Sequence, residues 1–404
     1  MLVFFIVPLS GVNIDIYVPS LPAVSLYFHT TKKLTQLTIS AYLLGLGIMQ
    51  LFAGSISDSF GRKKPFITAM VAYIISTLCI PYAQDMYQFI ALRFIQGAVL
   101  AVLIVPMRSV ISDLFEGEEL QKMMTYMTMS WSLGPIIAPG IGGYLQYYWG
   151  WSASFYFLGL YSLITLVLSF FYLFETSSHK HPFKVKEVLQ RYQRMLVHRE
   201  YRTNISLGGL LFSLITLFGI AGSFFIQNVL HYNALQFGRC TLILGLAWFL
   251  GSMTNRFILH ITLERKAKLL FWLMLGVTLM MLLSVYRHPM SIYSMLIPLF
   301  FLFYCSGILY PSYFISSVLL FRESSASANA LFNSSAFFIA GICSGLGTFI
   351  RVHSAVPFTT VLILLISLCL LAYYRSLKPT QKKPFNISLK TNRRDPSCQK
   401  QPQI

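Results

Sequence analysis

A chain of 404 residues with 11% charged and 56% apolar residues and a mean hydropathy of +0.65 is far too apolar for a soluble globule, where about 25% of residues carry charge. Composition therefore excludes a water-soluble domain and leaves an integral membrane protein. The net charge of +18 would suggest a nucleic-acid partner in a soluble chain, but here the basic residues lie in the loops and tail between apolar runs, the pattern of membrane topology. No nucleic-acid partner is expected.

Twelve runs match the length a helix needs to cross about 30 Å of hydrocarbon. They are predicted at 2–28, 37–57, 66–83, 87–112, 122–146, 150–174, 204–228, 235–258, 268–286, 290–316, 325–350 and 354–375. Nothing alternates in the manner of barrel strands. The expected fold class is an all-α integral membrane protein with twelve transmembrane helices in two six-helix halves. The first run carries no basic stretch before it and no small-residue cleavage site, so it is expected to stay as a span.

Between the second and third runs stands GSISDSFGRKKPF (54–66), an acid, a glycine and three consecutive basic residues. GSISD returns as GSMTN at 251–255, each time at the end of the second run of a six-run block. Between the blocks lies a polar, basic segment whose apolar positions Val185, Val188, Leu189, Tyr192 and Leu196 predict an amphipathic helix lying along the membrane surface. The expected organisation is a first bundle at 1–174, a linker at 175–203, a second bundle at 204–376 and a basic tail at 377–404. Two like-oriented halves joined this way suit a transporter that rocks about a central cavity.

With the amino terminus inside, 24 of the 31 Lys and Arg fall in inner segments and five outside (Lys32, Lys33, Arg239, Arg287 and Arg351). Such an excess predicts cytoplasmic termini. The six cysteines have no metal-binding spacing, and His179 and His181 are expected to be solvated linker. No metal and no cofactor is expected.

Of the 13 carboxylates, twelve fall at helix ends, in loops or in the tail, and Asp15 alone lies near the middle of a run. A charged Asp at bilayer depth costs about 2.5 to 3.5 kcal/mol, so it is neutral, paired or facing a wet cavity. Arg93, inside the fourth run, is the natural cation to pair with it. Pro19 and Pro22 are expected to interrupt the first helix just beyond Asp15. The fifth run holds Gly134, Pro135, Pro139, Gly140, Gly142 and Gly143, which permit close helix approach and a bend. Around the cavity the candidate substrate-binding residues are Asp15, Tyr17, Tyr42, Met49, Trp131, Phe225, Tyr304 and Asn333, since rings and methionines suit a variable apolar ligand.

Four motifs in order carry a family resemblance: IDIYVPSLPAV (14–24), GSISDSFGRKK (54–64), ALRFIQGAVLA (91–101) and LGPIIAPGIGGYL (133–145). The chain resembles the major facilitator superfamily, and within it the Bcr/CflA-type drug/proton antiporters, strongly over its first 175 residues and weakly beyond. The resemblance implies the major facilitator fold and a proton-coupled exporter of small amphipathic compounds in the inner membrane. Its partners are then a small-molecule substrate, protons and membrane lipid, and a monomer is expected. It implies proton and substrate binding at Asp15, tuned by Arg93. It also implies a gating latch of Asp58, Gly61, Arg62 and Asp113, in which Asp58 sits against the start of the eleventh helix, capped by the serines of FRESSASANA (321–330), and Arg62 pairs with Asp113. Two departures stand out: Ser59 follows the acid where the family usually has Arg, and Val7 occupies a position where some relatives carry a second acid. An importer or symporter of a nutrient, metabolite or siderophore is the alternative of the same fold. A membrane enzyme or a non-transporting scaffold is the alternative of another class, and an enzyme should show His or acid clusters near one interface, which the sequence lacks.

Overall fold

With no water inside a bilayer to satisfy the backbone, an apolar run must close its N–H and C=O groups internally, and helices result. The computed structural model describes residues 6–176, 184–321, 324–350 and 354–377, and these form helices and short connections. The first span is split into α1 (Pro8–Asp15) and α2 (Leu21–Tyr27) by a single 3₁₀ turn at Val18–Ser20. The rest of the first set is α3 (Lys32–Phe60), α4 (Lys63–Cys79), α5 (Met86–Leu114), α6 (Gly117–Trp149) and α7 (Ala153–Tyr172). The linker helix α8 (Val185–Val197) follows. The second set is α9 (Arg199–Phe224), extended by a π-helical turn at Phe225–Val229, then α10 (Ala234–Phe257), α11 (Leu263–Arg287), α12 (Tyr293–Leu319), α13 (Ser325–Gly347) and α14 (Ala355–Leu377). Among the described residues, ten helices are long and apolar enough to cross a membrane.

Local chemistry sets the helix ends. Thr31 accepts from the Leu34 N–H at the start of α3, and Asp85 from the Gln88 N–H at the start of α5. Asn233 and Gln236 form a reciprocal capping box at the start of α10.

In the first set α1 packs on α6, α3 on α5, and α4 on α5 and α7. In the second, α9 packs on α12, α13 and α14, α10 on α12, and α11 on α12 and α14. The sets meet along α3–α13 and α6–α10, so each contact joins the second span of one half to the fifth span of the other. The two ends of the bundle differ. At the end away from the linker, Gln36 Nε2 donates to the Ile220 carbonyl (3.2 Å) and the Ser40 and Ser344 hydroxyls lie 2.8 Å apart, both contacts crossing between halves. At the linker end the bridging element is α8, whose Tyr192 OH donates to the Leu51 carbonyl of α3 (2.9 Å) and whose Arg191 donates to Ser327 of α13 (3.1 Å).

The linker helix forms as its apolar spacing predicts, but with its buried stripe shifted. Val188, Tyr192 and Met195 are buried, with Tyr192 and its neighbour Arg191 bonded to α3 and α13, whereas Val185, Leu189 and Leu196 stay exposed beside them. His179 and His181, Arg322, Glu323, Cys398 and the basic tail from Lys378 lie outside the described residues.

Candidate functional site

The break in the first span begins at the acid. Asp15 is the last residue of α1 because the donor its carbonyl would need, the backbone nitrogen four residues on, belongs to Pro19 and carries no hydrogen. The chain turns instead, with the Ser20 N–H donating to the Tyr17 carbonyl at 2.9 Å. Residues two apart on a helix point away from each other. Asp15 therefore faces the space between the halves, and Asn13 faces into the first bundle.

The space Asp15 faces is a cavity of about 80 Å³. The first half lines it with Gly11, Ile14, Asp15, Val18, Ile136 and Pro139; α9 and α10 add Phe212, Thr216, Phe218, Gly219, Thr241, Leu244 and Trp248; α12 and α13 add Phe303 and Phe337. Asp15 is the one charged residue among those lining it, and Thr216 and Thr241 bring the only other polar side chains of that set. A carboxylate facing aromatic and aliphatic walls can bind a proton or the polar group of an amphipathic molecule, while the walls take up its apolar part.

Arg93 is not beside that acid, which corrects the pairing expected from sequence. It is wholly buried within the first bundle, where Nη1 donates to Asn13 Oδ1 (3.3 Å) and Gln96 Oε1 (2.5 Å). Its guanidinium lies 4.4 Å from the ring centre of Tyr42 and 5.1 Å from that of Tyr17. Gln96 continues the network to Thr77 at 2.7 Å. The ion pairs among the described residues are Arg62–Asp58, Arg62–Asp113 and Lys184–Glu187. Amide oxygens and aromatic faces thus take the place of a carboxylate around Arg93. The signal that sequence reading missed is Asn13, two residues before Asp15 on the opposite side of the same helix.

The hinge residues meet as a cluster. Arg62 donates to Asp58, to Ser57 Oγ (3.0 Å) and to Asp113 Oδ2 (3.3 Å), and Thr176 donates to the same Asp113 oxygen at 2.9 Å. Glu175, a residue sequence reading did not single out, caps the start of α4: its carboxylate accepts from the Arg62 N–H (2.7 Å) and the Lys63 N–H (3.3 Å). Gly61 has φ +89°, and a Cβ there would run into that carboxylate. The expectation that Asp58 sits against the start of α13 is not met, since its hydrogen bond and ion pair go to Arg62. Ser324 at the start of α13 makes no side-chain cap bond either. An acid one turn before an arginine finds that partner within its own half.

The α6 motif works as a two-faced seam. A Cβ on Gly142 would strike the Ile16 backbone of the first span, and one on Gly143 would come within 2.5 Å of the Ala234 carbonyl of α10. Gly134 likewise backs onto Pro8, Gly11 and Val12, while Pro139 and Gly140 face α10. Absent side chains thus let α6 touch both halves closely. The side chains of Pro135 and Trp131 lie outside the described residues.

The remaining substrate candidates do not line the cavity. Tyr17 and Tyr42 face Arg93. Met49 packs against the core, and Phe225 lines a smaller cleft with Gly222, Met295 and Phe358. Tyr304 donates to Thr254 (2.9 Å), and Asn333 to the Asn329 carbonyl (3.0 Å). The rings that do line it, Phe212, Phe218, Trp248, Phe303 and Phe337, sit on helices whose apolar residues are spread around the axis, so hydropathy could not say which face looks inward.

A family model described as Major Facilitator Superfamily matches residues 3–345. The chain belongs to the major facilitator superfamily. It is 24% identical over 370 residues to a bicyclomycin resistance protein homolog of Haemophilus influenzae, covering 90% of this chain and 92% of that protein. It is 27% identical over 173 residues to the multidrug resistance protein MdtL of Salmonella paratyphi C (43% of this chain, 44% of the relative). To a chloramphenicol resistance protein of Pseudomonas aeruginosa it is 28% identical over 153 residues (38% and 36%). Among solved structures, a D-xylose–proton symporter superposes with a TM-score of 0.71 at 13% identity over 93% of this chain and 96% of that one. The human organic anion transporter MFSD10 superposes with a TM-score of 0.67 at 16% identity, over 92% and 98%. These likenesses establish a major facilitator fold and a transporter rather than an enzyme.

Proposed function

We propose that this transporter is a proton-coupled antiporter that exports small amphipathic compounds across the inner membrane by alternating access. The observation that carries the reading is Asp15, the one charged residue among those lining a largely apolar cavity between the two halves, placed where the first span breaks. Protonation of Asp15 from outside allows the empty carrier to return inward, and substrate arriving from inside displaces the proton. The motion of one charge down the membrane potential supplies about 2.3 kcal/mol per 100 mV, to which the pH gradient adds. The names of the bicyclomycin, multidrug and chloramphenicol resistance relatives support an exporter. The basic inner loops support cytoplasmic termini.

Transport assays in inside-out membrane vesicles test this, with bicyclomycin, chloramphenicol and lipophilic dyes as probes. Uptake of at least one probe that depends on an imposed pH gradient and stops on its collapse is expected. Uptake that needs substrate and protons moving in the same direction would instead make the chain a symporter.

A further inference from the structure

Two donors on α9 and its π-helical extension reach across to the broken turn of the first span. Pro22 brings no N–H to the Val18 carbonyl, its partner four residues back, and the 3₁₀ turn leaves that carbonyl only the Leu21 N–H. Ser223 Oγ donates to this same carbonyl at 2.9 Å, and Gln227 Nε2 to the next one, Pro19, at 2.9 Å and to Ser223 Oγ at 3.2 Å. One turn before Ser223, a Cβ placed on Gly219 would lie 3.5 Å from the Val18 side chain, so residues 219, 223 and 227 form one stripe against the turn. Gln227 sits in the π-helical turn Phe225–Val229, the kind of irregularity that often marks functional helix segments. Both bonds join opposite halves at the end away from the linker. The turn they hold starts at Val18, three residues after Asp15.

We propose that Ser223 and Gln227 are positioning residues that latch the far end of the transporter closed, and that they link its opening to Asp15 through the backbone of Ile16–Pro19. Pro22 removes the helical donor of the Val18 carbonyl, and here the other half supplies a further donor to that carbonyl and one to the Pro19 carbonyl. The far end then cannot part without breaking both bonds, and a shift of the turn caused by a changed Asp15 weakens both at once. The link to Asp15 rests on the proton-coupling reading above, whereas the latch itself does not.

The test is the distance between spin labels at Leu26 and Asn228, both at this end, in a cysteine-free chain in lipid nanodiscs without substrate or gradient. Ser223→Ala and Gln227→Met, the second keeping length but losing the donor, should each raise the ratio of parted to closed ends about two- to tenfold, the worth of one net hydrogen bond. Gln227→Lys, which can still donate, should hold the wild-type ratio. Folded variants with unchanged distances would overturn the latch. Combining Asp15→Asn with Ser223→Ala should give a non-additive shift, and strict additivity would overturn the link to Asp15. Because this assay contains no transport step, loss of the proton-coupling reading would leave the latch result standing.

Discussion

The two halves repeat one five-residue pattern at the same place and use it differently. At GSISD, Asp58 pairs with Arg62, which also holds Asp113, while Glu175 caps the helix that follows. At GSMTN, Asn255 stands where the acid stood, and it accepts from Lys266 Nζ and from Ser312 Oγ, each at 2.9 Å. The first cluster is ionic and open to water, with the Asp58 side chain 49% exposed. The second is less exposed, Asn255 being 3% and Lys266 6% exposed, although Lys266 and Ser312 also line a cleft at the surface. An exposed acid can exchange partners at little cost, whereas a buried ammonium cannot lose its acceptor cheaply. The contrast predicts that the first hinge exchanges partners more readily than the second.

Four substitutions put that contrast at risk. Asn255→Leu strips the buried Lys266 of its acceptor and should lower stability by about 2 to 3 kcal/mol, read as an earlier thermal unfolding in detergent. Arg62→Ala removes the donor shared by Ser57, Asp58 and Asp113, with an expected cost of about 2 kcal/mol in the same measurement. Glu175→Gln keeps the shape of the cap on α4 but removes its charge, for about 1 kcal/mol or less. Asp58→Asn should change stability least, by under about 1 kcal/mol, since its side chain is half solvated. Its effect should appear as a changed balance of conformations across the linker end by distance measurement. If Asp58→Asn unfolds the protein as readily as Asn255→Leu does, the contrast between the hinges is wrong.

The span pattern, the linker helix and the break after Asp15 were all legible in the sequence, because each follows from a one-dimensional signal: run length, apolar spacing, or a proline that cannot donate. The meeting of Arg62 with Asp113 was legible too, through the family resemblance. What escaped were choices of face. Arg93 and Asp15 lie on spans of the same half, but only the turn of α1 decides that Asn13, not Asp15, looks toward the guanidinium. The cavity rings escaped for the same reason, and Glu175 because its role depends on the close of α7 returning to the start of α4.

The proposed mechanism stands or falls on whether the transported proton rides on Asp15. Substrate-induced proton release from purified protein in detergent decides it, using a compound that the vesicle assay has shown to be carried, for the wild type and for Asp15→Asn. The wild type should release a proton when substrate binds, and the Asn variant, still folded and still able to bind, should release none. Full release from the Asn variant would place the proton elsewhere and contradict the mechanism.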